Sequence, residues 1–399
     1  MSAQLETMED SQPARDLDQL LAEQPETAAR RAAAQFELRE GDALVLYGAG
    51  SLGKLTLEKL RALGIGPAAF ADDTPEKQGQ RVDGLEVMTP QQAIERFGDS
   101  TVFAVTIMNP RLRFLAAEQS LKKLGSDTRV VSFLHLAWRY PQTFLPYYQF
   151  ELPQDMLQKA ASIRGGFDLW ADEESRRQYV AHIRFRLRLE HEALPKNSGQ
   201  GYFSREFFSS LPDDTVFVDC GAYDGDTIRA FIAQQGNRFS RIYAFEPDGI
   251  NCLKLTDYVN GLDDEVARKI TVFNAGVGAE RGTIGFNPTG NMSASFTQHG
   301  EVEVAVLPLQ EIVKINGELG FLKFDVEGAE WEALKGANEL LVRSRPLLAI
   351  SVYHQPDDLW ELPSYINSLS LGYRLFLRTQ GEDGMDVICY AVPPHFPSH

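Results

Sequence analysis

Residues 216–246 read VFVDCGAYDGDTIRAFIAQQGNRFSRIYAFE, and this stretch decides the fold of the chain. Its first residues, 216–218, form a short apolar run typical of a parallel strand that is buried on both faces. A glycine turn, 219–225, interrupts the run, and a helix is predicted to follow it. The next apolar strand, 241–245, ends at Glu246, and an acidic side chain about 20 residues beyond such a turn commonly binds ribose hydroxyls. The stretch predicts a pocket for a nucleotide-type cofactor and leaves the identity of that cofactor open.

The alternation of strands and helices continues toward the C-terminus. Further strand-like runs end at Asn274, at Asp325 and just before His354. Ligands bind at the carboxyl ends of strands in open α/β sheets, so polar residues at these positions indicate a site. The chain then finishes with two consecutive strand-like runs, 373–378 and 385–392, which predict a closing antiparallel hairpin. Such a hairpin after a series of βα units favours the class I methyltransferase fold over a dehydrogenase, which would continue with further βα units.

From about residue 202 to residue 392 the chain resembles the FkbM family of S-adenosylmethionine-dependent methyltransferases. Five segments carry the resemblance, in this order: VFVDCGAYDGDT, IYAFEPD, FNAGVG, LKFDVEGAEWEALKGA and RPLLAISVYH. The fourth segment is the most specific, because glycine turns like the one in the first segment occur in many nucleotide-binding folds. The resemblance implies a class I methyltransferase domain with S-adenosylmethionine as its cofactor.

The resemblance also implies roles for the residues of the cofactor pocket. The glycine turn would pass beneath the methionine part of the cofactor, and Glu246 would take both ribose hydroxyls. Asp219 either contacts the cofactor or stabilises the turn through its own side chain. Tyr223 replaces a small polar residue of the family, and its ring either faces the sulfonium or packs. The implied cofactor-binding residues are Asp219, Gly221, Ala222, Tyr223, Gly225, Glu246, Pro247, Asp248, Asn274, Ala275 and Asp325.

Methyl transfer is an in-line displacement from a positively charged sulfur, so the enzyme must align an acceptor oxygen and remove its proton. The candidate bases at the open strand ends are Asp325, Glu327 and His354. His354 is the preferred base because histidine titrates nearest neutrality, although it could also only hydrogen-bond a neighbouring loop. Asp325 would orient the acceptor or face the cofactor amine, and Glu327 would assist or cap a helix that begins near residue 329. These side chains could also hold Mg²⁺ or Mn²⁺, but no metal site is predicted.

The segment 282–303 is rich in Gly, Ser, Thr and Asn and lies between two predicted strand ends. Loops in such places carry specificity, so this segment is interpreted as a substrate-side loop, with a plain surface hairpin as the alternative. Its candidate substrate-contacting residues are Asn291, Ser293, Ser295 and His299, and His299 also competes with His354 as the base.

A second glycine turn lies in the N-terminal third of the chain. The apolar run ALVLY, 43–47, leads into GAGSLG, 48–53, a helical segment and a short strand that ends at Asp72. The following segment, FADDTPEKQGQRVDGLEVMTPQQA, is similar to the nucleotide-sugar-binding domains at the front of bacterial sugar acyltransferases. This similarity implies that a pyrophosphate or sugar binds at the turn; alternatively, the glycines only permit tight packing. The residues of this second candidate site are Gly48, Gly50, Gly53 and Asp72.

These patterns predict an α/β chain with two Rossmann-like domains. The predicted divisions are a disordered and helical N-terminal segment over 1–40, a nucleotide- or sugar-binding domain over 41–138, a helical connector over 139–212 and a class I methyltransferase domain over 213–399.

Composition limits the partners of the chain. Its 399 residues carry a formal charge of −17, which argues against a nucleic-acid backbone or an anionic membrane surface as the main partner. Three widely spaced cysteines suggest neither a disulfide framework nor a metal knuckle, and no apolar run approaches the length of a membrane span. We therefore expect a cytoplasmic protein. The sequence leaves open whether it forms a homo-oligomer.

The function predicted from the sequence is O-methyl transfer from S-adenosylmethionine to a hydroxyl of a sugar or glycan-like acceptor. A nucleotide sugar at the N-terminal domain is a further expected partner. Two alternatives remain: an NAD-dependent oxidoreductase that uses the GAGSLG turn, and a non-catalytic nucleotide-binding protein.

Overall fold

A computed structural model describes residues 11–109, 112–125, 128–197, 201–208, 211–287, 295–296, 302–313 and 319–396 of the chain. The chain divides into two compact units. Unit 1 consists of Met1–Arg164, Arg177–Asn197 and Gly381–Asp386, and unit 2 consists of Gly165–Arg176, Ser198–Gln380 and Val387–His399. The expected disorder at the start of the chain falls on residues 1–10, which lie outside the described part. Among the described helices, none is both long enough and apolar enough to cross a membrane.

Unit 1 contains a six-stranded sheet in the order β3-β4-β2-β1-β5-β6, in which only β3 pairs in the antiparallel direction. The chain runs outward from the centre of this sheet first to one side and then to the other. This reversal is the doubly wound pattern that the sequence predicts. The strands are β1 (Ala43–Tyr47), β2 (Ala69–Ala71), β3 (Arg81–Val82), β4 (Leu85–Met88), β5 (Thr101–Val105) and β6 (Arg129–Ser132).

Helices cover this sheet and bury its apolar side chains. The central strand β1 is buried from its second residue onward, as expected for a parallel strand with helices on both faces. The helices from the start of the chain to residue 188 are α1 (Gln12–Leu21), α2 (Pro25–Ala34), α3 (Ser51–Ala62), α4 (Pro90–Phe97), α5 (Phe114–Lys122), α6 (Phe133–Arg139), α7 (Pro141–Phe144), α8 (Pro153–Leu157), α9 (Ala160–Phe167) and α10 (Glu173–Arg188). The last two, α9 and α10, each contain residues of both units.

Unit 2 is built on a seven-stranded sheet in the order β16-β17-β15-β14-β7-β8-β9. The five strands from β15 to β9 are parallel, and β17 pairs in the antiparallel direction with both β15 and β16. The predicted terminal hairpin is therefore confirmed. The strands of this sheet are β7 (Val216–Cys220), β8 (Arg241–Phe245), β9 (Ile270–Phe273), β14 (Leu319–Phe324), β15 (Leu347–Ser351), β16 (Arg374–Thr379) and β17 (Val387–Val392).

A smaller sheet in unit 2 joins β10, β13, β11 and β12, with β11 and β13 antiparallel. The segment that the sequence identifies as a loop or hairpin thus contains two paired strands. Of its four candidate substrate residues, Asn291, Ser293 and His299 lie outside the described residues, and only the backbone of Ser295 is described. The strands are β10 (Gly276–Val277), β11 (Gly282–Asn287), β12 (Ser295–Phe296) and β13 (Val302–Leu307).

Aromatic side chains form the centre of the unit 2 core. The rings of Phe217 on β7 and Phe321 on β14 stack with their centroids 4.8 Å apart, and Phe203 and Phe208 pack against the same pair. The helices that complete unit 2 are α11 (Arg205–Phe208), α12 (Asp226–Gln235), α13 (Gly249–Asn260), α14 (Asp264–Ala267), α15 (Leu309–Ile312), α16 (Glu330–Lys335), α17 (Asn338–Ser344) and α18 (Asp358–Ser368).

The direction of winding in unit 2 changes between β7 and β14. From β7 the chain moves through β8 to β9 on one side, and it returns through β14 and β15 on the other side. A crevice forms outside the carboxyl ends of strands at such a switch point, and ligands of open α/β folds bind there. The fold therefore indicates a ligand site among the residues that follow β7, β8, β14 and β15.

Candidate active site at the carboxyl edge of the seven-stranded sheet

The glycine turn after β7 brings three strand ends together. Gly221 has a φ of 82°, and a Cβ atom at this position would lie 1.8 Å from the backbone oxygen of Asp325. The backbone N–H groups of Gly221 and Ala222 both donate to the carbonyl of Phe245, at 3.0 and 2.9 Å. Only glycine permits this approach, because any side chain would collide with the end of β14. The turn therefore connects the ends of β7, β8 and β14.

Glu246 is held at the end of β8 by two backbone donors. Tyr223 N–H donates to its Oε2 at 2.8 Å, and Asp248 N–H donates to its Oε1 at 2.9 Å. Burial raises the pKa of this carboxyl to about 7, although both backbone hydrogen bonds oppose the shift. Each carboxylate oxygen can accept a second hydrogen bond, so this geometry leaves capacity for a pair of hydroxyl donors.

The other residues expected beside the cofactor shape the loops around Glu246. The Asn274 side chain donates to the carbonyls of Glu246 and Pro247, at 2.9 and 3.1 Å, and thereby fixes the loop after β8. Asp248 is fully buried and caps α13 by accepting from the backbone N–H of Ile250 at 2.8 Å. Asp248 thus has a structural task that the sequence analysis does not assign to it.

Three further expected cofactor residues lie in the same loops. Tyr223 has a φ of 48°, and the Lys254 ammonium lies 5.8 Å from the centre of its ring. Gly225 has a φ of 89° at the start of α12, where a Cβ atom would lie 2.9 Å from the ring of Tyr258. Ala275 is buried immediately after Asn274. The glycine at position 225 is therefore required by the backbone conformation and by packing.

A buried ion pair lies beneath the glycine turn. The Nζ of Lys323 on β14 donates to Asp219 Oδ1 at 3.0 Å and to the Gly221 carbonyl at 2.8 Å. Both side chains of the pair are at most 1 % exposed. Burial raises the pKa of Asp219 to about 6, although the Lys323 ammonium opposes this shift. Because this pKa is still below 7, the carboxylate and the ammonium are both charged at neutral pH. Within the described part of the chain, Asp219 Oδ2 is buried and accepts no hydrogen bond.

Asp325 follows β14 and carries the more accessible carboxylate. Its Oδ1 accepts a hydrogen bond of 2.8 Å from the Ser351 hydroxyl, which in turn lies 3.1 Å from the Tyr202 hydroxyl. The side chain is 23 % exposed. Burial alone would raise the pKa of Asp325, but the neighbouring Lys323 and His354 outweigh burial and place it below its ordinary value.

His354, which follows β15, lies between carboxylates. Its Nδ1 is 2.7 Å from Glu330 Oε1, and its Nε2 is 3.5 Å from Asp325 Oδ1 and 3.9 Å from Glu327 Oε2. The ring is 1 % exposed. Burial alone would lower the pKa of His354, but the surrounding carboxylates, Glu330 first, raise it to about 10. The ring is therefore a cation at neutral pH, which counts against its predicted use as a base there.

Two members of this network are not identified from the sequence. Glu330 is fully buried, accepts from the backbone N–H groups of Val326 and Gly328 at 2.8 and 3.0 Å, and holds His354. An acidic residue in the first turn of a helix is the signal that could have indicated it. Lys323 could have been indicated by its place within an otherwise apolar strand, because a buried charge needs a partner.

Three side chains of this network lie close enough to be considered as metal ligands. One potential ligand atom from each lies within 4.8 Å of the others: Asp325, Glu330 and His354. The carboxylate of Glu330, however, already accepts two backbone N–H groups and contacts His354. Hydrogen bonds and ion pairs account for the arrangement, and we assign no metal to it.

The second glycine turn, in unit 1, is closed by its own acidic residue. Asp72 is buried; its Oδ2 accepts from Ala49 N–H at 2.8 Å and from Lys77 at 2.9 Å, and its Oδ1 accepts from Thr74 N–H at 2.9 Å. Burial alone would raise the pKa of Asp72, but these partners lower it to about 2. Asp72 thus fixes the turn to the strand beside it.

The glycines of this turn differ in how closely they are packed. A Cβ atom at Gly53 would lie 2.0 Å from the carbonyl oxygen of Gly48, and one at Gly48, whose φ is 113°, would lie 2.4 Å from Ile107. A Cβ atom at Gly50 would have no neighbour within 4 Å. Gly48 and Gly53 are therefore needed for packing, whereas Gly50 borders open space at the start of α3.

Comparison with known proteins finds a family model that matches part of unit 2. Residues 219–375 match the family model described as the Methyltransferase FkbM domain. A solved structure of a methyltransferase FkbM from Methylobacillus flagellatus KT has the same fold with a TM-score of 0.73 and 24 % sequence identity. This match covers 95 % of the present chain and 100 % of that chain.

Other solved structures match less of the molecule. A putative rRNA-methylase from Clostridium thermocellum is 9 % identical with a TM-score of 0.33, and the match covers 50 % of this chain and 97 % of that chain. An rRNA methylase from Streptococcus thermophilus is 16 % identical with a TM-score of 0.31, over 46 % and 90 % of the two chains. No protein of curated function matches the chain. The predicted resemblance of the N-terminal domain to sugar acyltransferases is not confirmed by these matches. The predicted resemblance of the C-terminal half is confirmed over residues 219–375, which match the model of the Methyltransferase FkbM domain.

Proposed function

We propose that the chain transfers a methyl group from S-adenosylmethionine to a hydroxyl of a sugar or glycan-like acceptor. The observation that carries this proposal is the convergence of three carboxylates with different environments at one sheet edge. Glu246 offers a buried acceptor at the ribose position, Asp219 offers a buried oxygen that has no donor in the described part of the chain, and Asp325 is partly exposed.

The residues present fit this cofactor. S-adenosylmethionine supplies a methyl group on a positively charged sulfur, together with an ammonium group and ribose hydroxyls. Asp219 Oδ2 is an unsatisfied acceptor suited to the ammonium group, because a buried acceptor without a donor is costly. Glu246 is suited to the hydroxyl pair, because its oxygens are already oriented by Tyr223 and Asp248.

We assign the acceptor side of the site to Asp325 and Glu327. Their side chains are 23 % and 25 % exposed, whereas His354 behind them is almost fully buried. An accessible carboxylate can accept the hydroxyl proton as the new bond forms, and alignment of the acceptor supplies most of the rate. His354, held by Glu330, would position Asp325 and stabilise its charge. In this assignment His354 acts through Asp325 and not as the base.

A transfer assay tests the proposal. The purified chain is incubated with S-adenosylmethionine that carries a labelled methyl group and with a panel of glycosides, nucleotide sugars and amino sugars. We expect label on a sugar oxygen, identified by fragmentation of the product. Label on the nitrogen of an amino sugar, or on no sugar while S-adenosylhomocysteine binds normally, would contradict the proposed acceptor.

A further inference from the structure

Lys323 is the one buried cation of unit 2 that contacts both halves of the proposed site within the described residues. On one side its ammonium donates to Asp219 and to the Gly221 carbonyl, at 3.0 and 2.8 Å. On the other side it lies 3.9 Å from Asp325 Oδ2 and 4.9 Å from the centre of the Tyr202 ring. The Lys323 side chain is only 1 % exposed, so its ammonium has no route to solvent.

A second connection completes the link. The Tyr202 hydroxyl lies 3.1 Å from Ser351 Oγ, and the Ser351 hydroxyl donates to Asp325 at 2.8 Å. The same aromatic side chain thus contacts the lysine through its ring and the acceptor carboxylate through Ser351. Movement of Lys323 would disturb both the carboxylate under the glycine turn and the carboxylate that faces the acceptor.

We propose that Lys323 is a positioning residue that keeps Asp219 ionised for the ammonium group of the cofactor and holds Asp325 in place for the acceptor. This proposal rests on the proposed function, because it concerns the same cofactor site. The ion pair leaves Asp219 Oδ2 as the oxygen without a donor in the described part of the chain, so a cationic ligand group would complete the pair.

The charges around Asp219 support this role. Burial raises the pKa of Asp219 to about 6, and Lys323 is the group that holds it below neutrality. Burial alone would lower the pKa of Lys323, but Asp219 and Asp325 keep it above its ordinary value. The other charged groups acting on this pair are carboxylates: Asp226 on α12, Asp325 after β14 and Glu246 after β8.

Removal of the ammonium should therefore leave Asp219 protonated at neutral pH. For Lys323→Met we expect the Kd of S-adenosylhomocysteine at pH 7 to rise about tenfold, because loss of the adjacent ammonium raises the pKa of the buried Asp219 carboxyl well above neutrality. Higher pH restores the ionised carboxylate, so the ratio of variant to wild-type Kd should fall at least about threefold by pH 8.5. Titration calorimetry measures both ratios. Taking the ratio at each pH removes the titration of Glu246, which is common to both proteins.

The recovery at high pH separates this role from a merely structural one. A lysine that only supports packing would give a ratio that does not change with pH, and this result would overturn the proposal. Lys335→Met is the matched control, because Lys335 on α16 is 40 % exposed and should leave the affinity unchanged at every pH.

A second comparison keeps the test decisive if Lys323→Met fails to fold. Asp219→Asn and the double variant Asp219→Asn/Lys323→Met should bind S-adenosylhomocysteine equally weakly at each pH, since Lys323 acts through Asp219. A clearly weaker double variant would show that Lys323 contributes by another route and would contradict the proposal. If the wild type itself binds no S-adenosylhomocysteine, the proposed function fails; if the wild type binds and the lysine variants do not differ from it, only this inference fails.

Discussion

The ring of His354 has a carboxylate against each of its nitrogen atoms, and this arrangement decides what a single residue can do in the site. With its pKa near 10, the ring is charged through the neutral range and cannot accept a proton there. Asp325, by contrast, is ionised and partly exposed. We therefore propose that Asp325 accepts the proton and that His354 positions Asp325, whereas the sequence points first to His354 as the base.

The pH dependence of methyl transfer distinguishes the two assignments. With Asp325 as the proton acceptor, kcat/KM should be level above about pH 8, where Glu246 is ionised, and should fall as the pH drops below 7. With His354 as the base, kcat/KM should instead climb steadily toward pH 10, where the ring loses its proton. A steady climb in a measured profile would return the role of base to His354.

Removal of the ring should affect turnover more than cofactor binding. We expect His354→Ala to lower kcat by about 10² and to leave the Kd of S-adenosylhomocysteine near the wild-type value, because His354 acts on the acceptor side. Initial-rate kinetics and calorimetry measure the two quantities. The control is His395→Ala, which changes an exposed histidine that follows β17. If the two variants have the same turnover, His354 has no role in catalysis.

His354 should also make folding stability depend on pH. Its pKa is raised from about 6.5 in the unfolded chain to about 10 in the folded chain, so its charge stabilises the fold fully below pH 6.5. This contribution declines as the pH rises from 6.5 through 10. The free energy of unfolding in urea should thus differ most between wild type and His354→Gln near pH 6 and least near pH 10. A difference that grows with pH would contradict the charged state assigned to the ring.

At the scale of elements, the site depends on how closely the turn after β7 approaches the end of β14. Gly221→Ala places a Cβ atom against the Asp325 carbonyl in a backbone conformation that alanine resists. We expect the free energy of unfolding to fall by at least about 2 kcal/mol and cofactor binding to weaken. Gly249→Ala, at the start of α13, is the matched control because its Cβ atom would meet nothing within 4 Å. Equal stability of the two variants in urea unfolding would contradict this close approach.

The elements themselves are largely predictable from sequence, because their signals are local. Val216–Val218 followed by a glycine turn is enough to predict a buried strand and a helix start, and both are present. Pairings between distant residues are not local and escape the same reasoning. Glu330 pairs with His354, which is 24 residues further along the chain. Lys323 pairs with Asp219 across 104 residues. Only the folded sheet brings the members of each pair together.

Sequence reasoning also fails to predict the function of a side chain that it places in a candidate site. His354 and Asp72 stand out in the sequence, but their surroundings decide their chemistry. Three nearby carboxylates turn the histidine into a cation, and three internal donors occupy the carboxylate of Asp72. Residue type and spacing therefore predict where a site lies better than they predict what each member does.

At the scale of the whole molecule, the two glycine turns differ in how much of their binding capacity remains. The acidic residue of the unit 1 turn is occupied by internal donors, whereas Asp219 in unit 2 has an oxygen without a donor in the described part of the chain. A nucleotide sugar at the unit 1 turn stays a prediction, and Gly50, with open space around it, is where such a ligand would approach.

Asp72 should accordingly matter for stability. Its pKa is lowered from 3.8 to about 2, so its hydrogen bonds stabilise unit 1 above pH 4 and are lost as the pH falls through 2. Asp72→Asn should lower the free energy of unfolding by about 1–3 kcal/mol at pH 7, because buried donors lose a charged acceptor. Glu76→Gln, which changes an exposed carboxylate four residues further along the chain, is the control. A variant as stable as the wild type in urea unfolding would show that Asp72 is not needed to fix the turn.

The central claim is that the edge of the seven-stranded sheet in unit 2 binds S-adenosylmethionine, and calorimetric titration of the full chain tests it most directly. S-adenosylhomocysteine should bind the wild type with one saturable site and raise its melting temperature, while NAD should do neither. Glu246→Gln should weaken that binding about tenfold or more, because one carboxylate oxygen becomes an amide NH2 that accepts neither a hydroxyl nor a backbone N–H. Glu332→Gln, an exposed position on α16, should leave the binding unchanged. Binding of NAD instead of S-adenosylhomocysteine, or binding that is equally strong in Glu246→Gln, would contradict the account.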